Sequence, residues 1–127
     1  MPRKRKGSSF EDRVRIEHML EAACDIAAYV KGRRREDLNT DSMLLRALTN
    51  AVQQIGEAAA NVSDEGRARV AGLPWGQIVA MRHVLVHVYW GVDLDRLWRT
   101  AVHDVPGPIA ALNDAASSWP MPDPPQA

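Results

Sequence analysis

Between residues 10 and 62, apolar side chains recur every three or four positions and no proline interrupts them. That spacing predicts two amphipathic helices. The first carries Phe10, Val14, Ile16, Met19, Leu20, Ala23, Cys24, Ala27 and Val30. Ser8 and Glu11 stand at capping-box spacing and open it. Gly32 and the basic run after it close it. Residues 35–38 suit a single short turn. The second long helix starts near Thr40 or Asp41 and carries Leu44, Leu45, Leu48, Val52, Ile55, Ala59 and Val62. Each helix is about 22 residues, or about 33 Å, long.

Shorter segments follow. Ser63 and Asp64 cap a third helix that ends at Gly72. Pro74 fits the first turn of a fourth, where its missing N–H costs nothing; this helix runs over residues 75–89 and Gly91 breaks it. Asp93 caps a last helix that Pro106-Gly107-Pro108 must kink or interrupt, with the helical pattern resuming over 109–115. Nothing reads as a convincing strand. The expected fold is all-α, an antiparallel bundle of four to five helices joined by short connections. The 127 residues make one domain: a basic N-terminal arm over 1–9, a helical body over 10–116 and a proline-rich C-terminal tail over 117–127.

Composition adds little to that outline but removes several classes. Apolar residues are 46% and charged residues 25%, which suits a folded body rather than a disordered chain. No apolar run is long enough for a membrane span, and no secretory signal is visible. The single cysteine, Cys24, excludes an internal disulfide and any multi-cysteine metal site. A reducing cytoplasm is the expected compartment. The zero net charge hides an asymmetry: residues 1–6 hold four basic groups and no acid, so the rest of the chain carries −4. Lys31, Arg33, Arg34 and Arg35 form a second basic cluster, and arginine suits bidentate phosphate contact.

Candidate chemistry concentrates in Arg82-His83-Val84-Leu85-Val86-His87-Val88-Tyr89. His83 and His87 are four apart and share a helix face. That spacing suits a metal, but no third ligand stands at an obvious distance. A permanently cationic Arg82 with a titrating His87 is a phosphate-chemistry pair: arginine stabilises charge on phosphorus and histidine moves protons. The two are five apart, about 140° around an ideal helix. One route to bringing them together is a second copy of the helix across a two-fold axis. His18 and His103 read more simply as a surface or packing residue and a helix-end residue.

Ile55-Gly56-Glu57-Ala58-Ala59, then Leu73-Pro74-Trp75-Gly76-Gln77-Ile78, then Arg82-x4-His87-x-Tyr89, then Gly91-Val92-Asp93, together resemble HepT-like toxins of the HEPN superfamily. The resemblance spans roughly residues 10–112. It implies a helical, metal-independent endoribonuclease that needs no cofactor and works as a homodimer on RNA. Its implied partner is an MntA-like minimal nucleotidyltransferase antitoxin. By position, Arg82 and His87 would be catalytic and Tyr89 the residue that accepts AMP. Glu57 would support the site. His83 stands where the family usually has Asn, as a substitute for its hydrogen bonds or as a second proton carrier. Arg33, Arg34 and Arg35 are candidate RNA-backbone contacts. A HEPN module that binds nucleotides or partners without cleavage is the alternative.

Overall fold

A computed structural model of the chain describes residues 9–83 and 93–120. Among the described residues, three long helices carry the architecture: α1 (Ser9–Val30), α3 (Ser42–Ala60) and α7 (Pro106–Ser118). Four short ones, again among the described residues, lie between them: α2 (Asp37–Thr40), α4 (Asp64–Arg69), α5 (Trp75–Ala80) and α6 (Leu94–Arg99). Among the described residues there is no strand, and no helix is long and apolar enough to cross a membrane. The all-α bundle expected from the periodicity is present, with the connections themselves folded into short helices.

Local rules set most of the boundaries. α1 ends where Gly32 takes a left-handed φ of 72°. The Asp41 carboxylate accepts from the Leu44 amide and starts α3. Ser63 does the same for α4 through Gly66, and Asp93 for α6 through Arg96. The Pro106-Gly107-Pro108 interruption is a π turn over Thr100–Asp104, in which the Val105 amide donates to the Thr100 carbonyl at 3.0 Å. Pro106 and Pro108 have no N–H to return to the carbonyls four residues earlier, and the ladder widens there. α7 then begins at Pro106 itself, earlier than the pattern at 109 suggests, because proline is at home in a first turn. It also runs on to Ser118, and Trp119 beyond it is buried, 6% exposed, with the Arg69 guanidinium 5.5 Å over its ring.

The rotation of α1 differs from its apolar spacing. Phe10, Cys24 and Ala27 face outward, whereas the buried stripe is Asp12, Ile16, Met19, Ala23 and Ile26. Asp12 explains the choice. Its carboxylate, 3% exposed, accepts from the Ser63 amide at 2.9 Å and the Ser63 hydroxyl at 2.5 Å. This contact sets the start of α1 beside the end of α3, so the two helices run antiparallel. Leu44, Leu48, Val52, Ile55 and Ala59 of α3 fill the seam between them, and Leu112 and Ala116 of α7 close the core.

Candidate functional site

α5 is tied down before it reaches the site. The Trp75 indole N–H donates to the Val70 carbonyl at 3.0 Å, and the Arg67 guanidinium lies 5.5 Å over the same ring. Arg67 also donates to the Ala59 carbonyl at the end of α3. Ile78 and Met81 are buried in the core, at 1% and 6% exposure. At Met81 the helix tightens into a 3-10 turn, Met81–His83. Each residue there advances about 120° rather than 100°.

Arg82 occupies the middle of that turn and is half-buried. Its backbone is held by Gly56 of α3. A Cβ placed on Gly56 would lie 2.5 Å from the Arg82 nitrogen, 2.9 Å from its Cβ and 3.1 Å from its Cα. Only glycine permits α3 to approach the turn this closely, so the glycine of the Ile55-Gly56-Glu57 block places the arginine. Among the described residues, no carboxylate pairs with the Arg82 guanidinium. A half-buried cation in that setting is suited to an incoming anion.

The remaining sequence-derived candidates distribute as follows. His83 is next to Arg82 and exposed. His87 and Tyr89 lie outside the described residues. Glu57 does not share the glycine's approach to the turn. It lines a groove of about 440 Å³ between α1 and α3 with Arg15, His18, Glu21 and Gln54. Arg33 pairs with Asp41 at 3.0 Å. Arg35 pairs with Asp95 of α6 at 2.5 Å and reaches Asn39 at 3.2 Å. Arg34 is exposed; its amide donates to the Asp37 carboxylate. Two guanidiniums of the basic cluster are thus already engaged, in exposed pairs that hold about 0–1 kcal/mol each. Among the described residues no group of three or more His, Cys, Asp or Glu side chains forms a metal-type cluster.

Gly56 is the residue that periodicity undervalued. An isolated glycine in a well-patterned helix costs about 0.5–1 kcal/mol relative to alanine. That cost was itself a signal of close backbone approach.

Comparison with known proteins gives a consistent picture. Residues 19–114 match the family described as Ribonuclease HepT-like. The chain is 35% identical over 91 residues to a protein named "Putative RNase" from Caldanaerobacter subterraneus subsp. tengcongensis, covering 72% of this chain and 81% of that one. It is 32% identical over 91 residues to a "Probable ribonuclease HepT" from Thermococcus cleftensis, covering 72% and 83%. A "Putative RNase" from Methanocaldococcus jannaschii is 31% identical over 88 residues, covering 69% and 81%. No solved structure matches the chain at a significant level. An all-helical core, a glycine that seats an arginine-bearing turn, and a match that spans both elements lead to one assignment: this chain belongs to the ribonuclease HepT-like family.

Proposed function

We propose that this protein is a metal-independent endoribonuclease, the toxin of a toxin–antitoxin pair, and that it works as a homodimer. The observation that carries the reading is Arg82: half-buried, fixed by Gly56, and without a carboxylate partner among the described residues. The family match supports RNA as the anion that cation would meet.

In the proposed reaction the RNA 2′-hydroxyl gives its proton to a base and its oxygen attacks phosphorus. The bond from phosphorus to the 5′-oxygen breaks, and that oxygen takes a proton. The products are a 2′,3′-cyclic phosphate and a 5′-hydroxyl. Arg82 stabilises the charge that accumulates on the phosphoryl oxygens. His87 serves one of the proton transfers. A second protomer brings a second Arg82 and His87 to a shared cleft. The proposed antitoxin is an MntA-like nucleotidyltransferase: the Tyr89 phenol oxygen attacks the α-phosphorus of ATP, pyrophosphate leaves, and a phosphodiester remains. The added negative charge and the bulk of the adenylate would exclude RNA from the cleft.

The decisive experiment incubates purified protein with RNA, with and without excess chelator. Cleavage persists with chelator and falls about 10²–10³-fold in Arg82→Ala, with a comparable loss in His87→Ala. His83→Asn keeps most activity. Loss of cleavage on chelation, restored by zinc, would instead assign His83 and His87 to a metal. Light scattering checks for a mass near twice 14.1 kDa. Coexpression with the antitoxin and ATP places added adenylate mass on Tyr89; a silenced chain with an unmodified Tyr89 refutes that part.

A further inference from the structure

A cavity of about 710 Å³ opens between the 72–74 loop and the α6–π segment. That volume lies within the ~300–1,000 Å³ of small-molecule sites, so a nucleotide-sized group fits. Ala80 and Met81 form part of its wall, and Met81 directly precedes Arg82. Arg96, Arg99 and His103 line another part. All three are exposed. Arg96 and Arg99 are three apart in α6, so their side chains stand over neighbouring turns on one face.

These arginines differ from the basic cluster picked out in the sequence. Arg33 and Arg35 carry carboxylate partners. Among the described residues, neither Arg96 nor Arg99 is in an ion pair. The carboxylates in the cavity lining, Asp93 and Asp104, bracket the arginines in sequence, and an Asp93 oxygen is occupied by the Arg96 amide. The Arg35–Asp95 pair, in turn, ties α6 to the loop after α1. The result is two guanidiniums outside any ion pair among the described residues, on a helix tied to the loop after α1, beside a cavity that also holds Asp93 and Asp104 and reaches the turn bearing Arg82.

We propose that Arg96 and Arg99 bind the phosphate backbone of single-stranded RNA and lead it to Arg82. The inference rests on the ribonuclease reading and names the surface that holds its substrate. Two planar forks suit phosphate oxygens through bidentate, charge-assisted hydrogen bonds. Neither arginine acts on the scissile bond; both position the strand, and their effect falls on affinity.

The test is fluorescence anisotropy with a labelled 2′-O-methyl RNA oligonucleotide, which cannot be cut because its 2′-oxygen is blocked. Arg96→Ala/Arg99→Ala should weaken binding at least tenfold at low salt. The slope of log affinity against log salt should shrink by about 1.4, because each contact to a single strand contributes about 0.7. On cleavable RNA the double variant should raise KM and leave kcat within a few-fold. Arg33→Ala, which removes an already paired cation, should cost less. Both sites are exposed, so circular dichroism should match the parent chain. Unchanged affinity and salt slope overturn the proposal, as does a parent protein that binds no oligonucleotide. Unchanged RNA binding with loss of antitoxin binding also overturns it and makes the surface a protein interface. If the parent chain binds but cuts nothing, and the double variant no longer binds, the surface stands and the ribonuclease reading falls. If the parent chain cuts and the double variant binds as well as the parent, the surface falls and the ribonuclease reading stands.

Discussion

Gly56→Ala tests whether the arginine is seated by α3. The added Cβ would stand 2.5 Å from the Arg82 nitrogen, about 0.9 Å short of the 3.4 Å at which ordinary contact begins. The atoms it meets include the Arg82 backbone, and Met81 beside it is buried, so rotating a side chain relieves nothing. Either α3 or the turn must move. Alanine favours the helix by about 0.5–1 kcal/mol, and overpacking costs about 1–3 kcal/mol. The net loss is at most about 2.5 kcal/mol, and melting should fall by no more than about 10 °C. The catalytic effect should be disproportionate, since a misplacement near 1 Å costs about 10²-fold in rate. The assay pairs thermal melting with initial rates of RNA cleavage, taken well below the melting range. Gly66→Ala is the matched control: its Cβ would crowd Asp12 and Val62 at 2.7 Å, away from Arg82. It should lower stability without a comparable rate loss. A Gly56→Ala protein that melts lower yet cuts at the parent rate would refute the reasoning.

Other outcomes follow from the same structure. Ser63→Ala removes the cap of α4 and a partner of buried Asp12; urea titration should show a loss of about 1–3 kcal/mol. Trp119→Ala, at a position that reads as tail in the sequence, should cost about 3–5 kcal/mol in the same titration, as buried aromatic truncations do; a surface-like change below 0.5 kcal/mol would place the residue outside the core. The Asp41 carboxyl is held below its usual range, first by the Leu44 amide and then by the Arg33 guanidinium. Its contribution to stability is therefore present above the ordinary carboxylate pKa and is lost as pH falls through the lowered value. The stability gap between parent and Asp41→Asn should narrow from pH 6 to pH 3 in paired urea titrations; a constant gap would contradict it.

What the sequence revealed was whatever depends on neighbours in the chain. Ser63 and Asp93 announce their helices by type and position, and the observed caps are theirs. Pro106-Gly107-Pro108 announces an interruption. Long-range pairings stayed hidden. Asp12 reads as a solvated charge until Ser63 is found beside it, and it turns α1 so that Phe10 and Cys24 face out. Trp119 among prolines reads as tail because Arg69 lies fifty positions away. The charge of residues 31–35 was legible, but not that Asp41 and Asp95 would engage it. In the candidate site, Arg82 was found by motif, whereas the part played by Gly56 depends on a contact between separate helices.

The bond between Asp12 and Ser63 also makes α4 dependent on the pairing of α1 and α3. α4 has six residues, far fewer than the ~12–15 an isolated helix needs in water. Its cap is held by a carboxylate 51 positions earlier, and closing a loop of that length costs about 3.5 kcal/mol of chain entropy beyond a constant. The antiparallel pairing of α1 and α3 supplies the apolar burial that offsets this cost. α5 leans on the Trp75–Val70 bond in turn, and the turn bearing Arg82 leans on Gly56 of α3. The geometry of the candidate site therefore depends on contacts spread over most of the core.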